Sequence, residues 1–257
     1  MPTLPRFAPA AAVLLIATPA RAQNFVTPSD GYGWTRGDAS SSYFAWDDFS
    51  TGNGPNSPDI DAFPNPLPAG WVEPTVTETT GTAFVTSTGN LYSFGATPLE
   101  FEVVVPGEPV AGGTMTVLLQ TNTQGREVEP TTIVCDGAAP VEVVELYREF
   151  LGPDGIGGGS LVVKLWRFEV PADGAAVITF EADGESMSLD KVSVDTFSEE
   201  SNDCVADVNG DGALTPTDFT AWINAYNNAD AGCDQNDDGS CTPTDFTAWI
   251  TNYNNGC

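Results

Sequence analysis

Between Thr82 and Thr196 the chain runs in short stretches where apolar and polar residues alternate, separated by Gly, Pro, Asn and Ser. Leu99-Glu-Phe-Glu-Val is the cleanest. Leu99, Phe101 and Val103 fall on one side and Glu100 and Glu102 on the other, the period of a half-buried strand. Thr82–Thr86, Leu91–Phe94, Thr114–Gln120, Thr131–Cys135, Val141–Phe150, Leu161–Val170, Ala176–Ala182 and Met187–Thr196 read in the same way. Successive strands with turn residues and no helical period between them predict a mainly-β fold, an antiparallel β-sandwich of jelly-roll type. Pro55–Pro68 reads as a long loop. Gly152–Ser160 is glycine-rich but has neither the Lys nor the following helix of a phosphate loop.

The period changes near the C-terminus. Phe219, Trp222, Ile223 and Tyr226 stand at i, i+3, i+4 and i+7, and Phe246, Trp249, Ile250 and Tyr253 repeat the pattern. That spacing predicts two short amphipathic helices. Each is preceded by Thr at an N-cap position, then Pro, then Asp three residues after the cap (Thr215, Pro216, Asp218; Thr242, Pro243, Asp245). Thr215–Ile223 recurs without a change as Thr242–Ile250, 27 residues later.

A carboxylate-rich loop leads into each helix. Calcium takes about six to eight oxygens, and a loop of about twelve residues supplies them from positions 1, 3, 5, 7, 9 and 12. Counted from Asp207 these are Asp207, Asn209, Asp211, Ala213 (through its carbonyl), Thr215 and Asp218. Counted from Asp234 they are Asp234, Asn236, Asp238, Ser240 (through its carbonyl), Thr242 and Asp245. Gly212 and Gly239 fall at position 6, where the turn is sharp. Position 12 is Asp where the EF-hand pattern has Glu. The expectation is two Ca2+ ions and a small domain that folds around them.

Two such loops, each ending in Asp and each followed by a single helix, resemble the dockerin domain. The likeness covers residues 204–257 and is greatest to the cysteine-containing kind that closes secreted bacterial proteins with Gly-Cys, here Gly256-Cys257. It implies docking onto a cohesin domain. The chain departs from the cellulosomal pattern in having several cysteines and no Lys or Arg after Lys191. The implied partner is therefore a cohesin-like receptor or a surface-anchoring system. The identical helix starts imply docking in either of two orientations, through Thr217 and Thr220 or through Thr244 and Thr247.

Four of the five cysteines lie in this region, as suits a small domain with little core. In loops of this kind the residue before position 1 and the residue at position 8 turn inward, and the first copy has Ala206 and Leu214 there. Of the possible pairings, this favours Cys233–Cys241 and leaves Cys204–Cys257. Zinc is the rival use of clustered cysteines, but the usual paired spacings are absent. Cys135 is left over, as a buried apolar side chain.

Arg6, the apolar Ala10–Ala17 run and Ala20-Arg21-Ala22 form a secretory signal peptide with cleavage after Ala22. The organisation read from the sequence is a signal peptide over 1–22, a β-sandwich over 24–197, an acidic linker over 198–203 and the repeat domain over 204–257. The protein is expected to be exported and associated with the cell surface, with no membrane insertion. A net charge of −28, from 8 basic and 36 acidic residues, excludes nucleic acid as a partner.

The sandwich is harder to assign. Its last strands, Val177–Phe180 and Ser188–Asp195, resemble the ends of carbohydrate-binding sandwich modules. Trp34, Tyr43 and Trp46 are either sugar-stacking faces or core residues. Asp38, Asp47 or Asp195 could hold a third, structural calcium. With no histidine, Ser-His-Asp, Cys-His and His-metal chemistry is excluded. The leading reading is a secreted non-catalytic, glycan-binding module carried by the dockerin-like domain. A polysaccharide hydrolase or lyase, which needs only two carboxylates, is the alternative. A purely structural surface protein is the third.

Overall fold

The computed structural model describes residues 25–153, 158–199, 204–211, 213–236 and 238–256. The signal-peptide expectation lies outside them. Twelve strands and two α-helices are described: β1 (Ser41–Trp46), β2 (Ile60–Phe63), β3 (Thr75–Glu78), β4 (Phe84–Val85), β5 (Leu91–Tyr92), β6 (Glu100–Pro106), β7 (Thr114–Gly125), β8 (Val134–Cys135), β9 (Glu142–Gly152), β10 (Gly159–Pro171), β11 (Ala175–Glu181), β12 (Ser188–Glu199), α1 (Pro216–Asn228) and α2 (Pro243–Asn255).

The strands form two antiparallel sheets, as the alternation predicted. One runs β2-β1-β12-β7-β10-β9, with the β4–β5 ribbon attached to β12 through β5. The other runs β3-β6-β11-β8. A single buried cluster draws on both: Phe44, Val117 and Phe168 from the first, Phe101, Val103 and Phe180 from the second. The arrangement is consistent with a β-sandwich.

A second apolar cluster covers the outer face of the larger sheet. Trp34, Leu118 and Leu165 are buried there, with Val26, Tyr32 and Phe197 packed around them. Gln120 on β7 holds the chain in place: the Val26 amide donates to its Oε1 (2.8 Å) and its Nε2 donates to the Val26 carbonyl (2.9 Å). Trp34 then stacks on Phe197 with ring centroids 5.2 Å apart.

Some segments differ from the sequence reading. The Pro55–Pro68 loop contains β2, which pairs with β1 at Tyr43↔Phe63 and Ala45↔Ile60. Its prolines suit an edge, and β2 is the edge of its sheet. β3 has too short an alternation to stand out. Ser198 and Glu199, expected to open the acidic linker, instead continue β12 in pairing with β7, and the rest of that stretch lies outside the described residues. Among the described residues no helix is long and apolar enough to cross a membrane.

Candidate functional site

The repeat builds two nearly equal halves from one local rule. Thr215 and Thr242 are extended N-caps, with ψ of 166° and 167°, and each forms a capping box with the Asp three residues on. The Thr215 amide donates to Asp218 Oδ2 (2.8 Å) and the Thr242 amide to Asp245 Oδ2 (2.7 Å). A cap of this kind is worth about 1 kcal/mol. Ala229 closes α1 in the left-handed conformation, its amide donating to the Ala225 and Tyr226 carbonyls.

The halves then pack reciprocally. Trp222 Nε1 donates to the Cys233 carbonyl (3.1 Å), and Trp249 Nε1 donates to the Ala206 carbonyl (3.2 Å). Trp222 and Trp249 are equivalent positions of the two copies, as are Ala206 and Cys233. Each tryptophan thus bonds the residue that opens the other copy's loop. Ring contacts follow the same exchange, Phe219 against Trp249 at 5.1 Å and Trp222 against Phe246 at 5.5 Å. Phe219–Phe246 and Trp222–Trp249 are self-pairs at 5.8 and 6.5 Å. These contacts describe a pseudo-twofold axis between the helices.

The turns of the two loops share the same bonds. In the first, the Asp211 amide donates to Asn209 Oδ1 (2.8 Å) and Asp207 Oδ1 (3.2 Å), and the Ala213 amide to Asp211 Oδ1 (3.0 Å). In the second, the Asp238 amide donates to Asn236 Oδ1 (3.0 Å) and Asp234 Oδ1 (3.2 Å), and the Ser240 amide to Asp238 Oδ1 (2.9 Å). The oxygens of positions 1 and 3 therefore turn inward in both copies. Gly239 has φ +78°, which only glycine adopts freely; its counterpart Gly212 lies outside the described residues.

Position 12 is the unusual one. Asp218 and Asp245 are both fully buried. Burial pushes the Asp218 carboxyl up, but the Thr215 and Asn209 amides outweigh it and hold it below the ordinary carboxylate value. For Asp245 the Thr242 amide dominates, against burial, and the Gln235 amide adds to it at 2.9 Å. Both acids are thus held ionised. No Lys or Arg follows Lys191 in the sequence, so the repeat itself contributes no basic side chain.

This donor set fits a hard divalent cation. It is all oxygen and partly buried, and a carboxylate oxygen that accepts one amide keeps lone pairs free. Among the described residues no three acidic or cysteine side chains are gathered closely enough to form a metal cluster. The hydroxyls of Thr215 and Thr242 at position 9 are engaged in the caps, with Thr217 and Thr244 at 2.5 and 2.6 Å. Asp207, Asp211 and Asp234 line one depression of about 870 Å3 between the copies. Thr217, Thr220, Thr244 and Thr247 are all exposed.

Cys233 and Cys241 stand at disulfide distance, with Cα atoms 5.6 Å apart. In the first copy Ala206 and Leu214 occupy the equivalent places and pack with Trp222 and Trp249. Cys204 is disulfide-bonded, and Cys257, the partner assigned to it from the sequence, lies outside the described residues. Cys135 is a buried free thiol, pushed up to about 12 by burial and the nearby Asp136 charge. Sequence reasoning missed Gln235, which is buried and donates to the Val205 (2.8 Å) and Gly232 (3.1 Å) carbonyls. Its signal was the one polar residue at a loop position where the first copy has Val208.

The aromatic and acidic candidates of the β-rich part need correction. Trp46 is 1 % exposed and donates through Nε1 to the Asn56 carbonyl (2.8 Å), so it is core. Trp34 lies under the outer face cluster. Tyr43 is covered by the Arg36 guanidinium, 3.4 Å from its ring centroid. The two tryptophans offer no open face to a sugar, and Tyr43 is half-buried with Arg36 over its ring. Asp195 is fully buried and held by Arg36 through two bonds, Nε at 2.5 Å and Nη2 at 2.9 Å. Burial opposes the Arg36 charge, but the Asp195 carboxylate beside it keeps the guanidinium protonated. Asp38 accepts from the Thr35 amide (2.7 Å), and Asp47 stands 3.7 Å from Lys191 Nζ. These three acids do not converge on one point. No protein-family model matches the chain, and no curated protein matches it significantly.

Proposed function

We propose that this chain is an exported two-part protein. Its duplicated C-terminal loops bind two Ca2+ ions and dock, as a dockerin does, onto a cohesin-like or surface-anchoring receptor. Its β-rich part is a jelly-roll-like sandwich with affinity for glycan and no catalytic role. Asp207, Asn209, Asp211, Ala213 and Asp218 would hold one ion, and Asp234, Asn236, Asp238, Ser240 and Asp245 the other. A divalent cation would supply positive charge there, in a stretch with no Lys or Arg after Lys191.

The reciprocal contact of the two tryptophans carries this reading. An acid-rich duplication arising by drift has no reason to keep each copy's indole on the other copy's loop. A device that presents the same surface twice does.

Calorimetric titration of the full exported chain with Ca2+ is the test. Two ions per chain are expected, falling to one on Asp207→Ala with Asp218→Ala. No binding by the wild-type chain would overturn the proposal.

A further inference from the structure

The β4–β5 ribbon carries three aromatic rings that lie outside the core. Phe84 stacks on Phe94 at 5.3 Å, and Tyr92 meets them edge-on at 5.8 and 4.9 Å. Phe94 is 68 % exposed and Phe84 40 %. Isolated exposed aromatics need no explanation, but a packed group of three beside a concavity does.

The concavity is a cleft of about 380 Å3, within the size range of small-ligand sites. One wall is the aromatic group. The other is polar, with Asn90, Gln124 and Ser188 among its residues. Its base is set by close backbone approach. A Cβ on Gly125 would stand 2.7 Å from the Ser186 carbonyl oxygen, and one on Gly159 would stand 2.5 Å from the Gly125 oxygen. The ends of β7 and β10 therefore meet where no side chain fits, which fixes the cleft before any ligand arrives.

Asn90 adds a second, independent sign. It is 7 % exposed, and its Nδ2 donates to Ser188 Oγ (3.1 Å), yet its Oδ1 has no hydrogen-bond partner. A buried amide oxygen without a donor is costly, and natural proteins keep few of them. Among the described residues no charged side chain lines the cleft, although the chain carries a net charge of −28.

An aromatic wall facing neutral amides and hydroxyls matches one ligand chemistry. A sugar ring has an apolar C–H face and a rim of hydroxyls that both donate and accept. We infer that this cleft is the glycan site of the protein and that it takes neutral sugars. The inference rests on the reading of the β-rich part as glycan-binding and replaces the buried tryptophans as its contacts. Phe94 and Phe84 provide the stacking wall, and Gln124, Asn90 and Ser188 line the polar wall across from it. Uronate or sulfate polymers are disfavoured, because the described lining offers them no cation and the net charge of the chain repels them. Among the described residues the lining holds no paired carboxylates of the kind glycoside hydrolysis uses, so the inference is retention of the glycan, not cleavage.

The full exported chain is tested by affinity electrophoresis against neutral glucans, xylans and mannans and against uronate polymers. Phe94→Ala is compared with Phe150→Ala, an equally open phenylalanine on β9, and Gln124→Ala serves as a second cleft variant. Binding to a neutral glycan is expected to weaken at least about tenfold in Phe94→Ala and to stay unchanged in Phe150→Ala. Should the wild type bind but both cleft variants bind as well as it does, the cleft assignment fails while the glycan reading stands. Wild-type binding to uronate polymers alone, or to nothing on the panel, would overturn the inference and the glycan reading together.

Discussion

The two parts of this protein bury opposite things. The β-rich part buries large apolar side chains: Phe44, Trp46, Phe101, Trp166, Phe168 and Phe180 are all at or below 1 % exposed. The repeat buries Ala206, Trp222 and Trp249 and, beside them, two carboxylates with no exposure. The β-rich part has buried acids too, and it answers them. Asp195 has Arg36, and Glu78 accepts from the amides of Thr80 (2.7 Å) and Gly81 (3.0 Å). In the repeat, Asp218 and Asp245 accept from backbone amides and from the Thr215 and Thr242 hydroxyls. Burying an acid is tolerable when its charge is matched. Asp195 is thus matched by a guanidinium, whereas Asp218 and Asp245, like Glu78, are held by neutral donors, and it is at the repeat that the proposed cation would add charge.

The sharpest way to break this comparison is chelation. Among the described residues α1 and α2 are the only α-helices, so the helical circular dichroism of the full chain reports the repeat. At a thousandfold excess over Kd each ion contributes about 4 kcal/mol. Chelator should remove the helical signal and leave the β-sheet melting transition where it was. Retained helicity in the chelated, reduced protein would mean that the repeat folds on its own core.

The converse variant is Phe168→Ala. It should cost the sheets about 3–5 kcal/mol and lower only their transition. If the helical signal moves with it in denaturant titration, the two parts fold as one unit.

Within the repeat, the copies differ where Cys233 and Cys241 replace the apolar pair Ala206 and Leu214. Removing both thiols by Cys233→Ala with Cys241→Ser should cost about 2 kcal/mol, given a sequence separation of 8 residues. Cys233→Ala with Cys241→Leu copies the first half into the second and should recover part of that loss. Thermal melts of the three proteins in calcium decide this, and equal melts for all three would make the disulfide irrelevant to stability.

Trp222→Phe and Trp249→Phe each remove one indole bond to the other copy. The two should cost the same, about 1–2 kcal/mol. A large inequality in chemical denaturation would show that the pseudo-twofold is approximate in energy as well as in sequence.

The smallest effect expected is on docking. With two equivalent faces, converting Thr217 and Thr220 to Arg should weaken receptor binding by a factor of about two, roughly 0.4 kcal/mol. The same change at Thr244 and Thr247 as well should abolish it. Loss of binding from the first pair alone, by surface plasmon resonance, would make the duplication a folding device only.

Much of this was legible along the chain because its causes are local. Thr215, Pro216 and Asp218 lie within one turn, so a cap and its box can be read without knowing what the helix packs on. The strand alternation is equally local, and β6 follows Leu99–Val105 almost residue for residue. Where the cause was distant, the reading left alternatives. Trp46 in a strand of aromatics looked the same whether covered or open. What covers it is the opposite sheet and Asn56, and β1 is placed there by pairing with β12, Ser41 against Phe197 and Trp46 against Val192. Tyr43 was likewise an open ring in sequence until Arg36 was laid over it by the Asp195 pair.

By itself, then, the sequence determined the two periods, the caps, the in-phase duplication and the shortage of cations near its carboxylates, since each of these depends on residues a few positions apart. The tertiary structure alone decided which aromatics are core and which are surface, and that each repeat's indole reaches the other's loop. It alone placed Phe84, Tyr92 and Phe94 opposite Gln124 and Ser188. Those outcomes depend on which residues far apart in the chain meet when strands pair and helices cross. Alternation tells which side of a strand is apolar, but only the partner that arrives tells whether that side is covered.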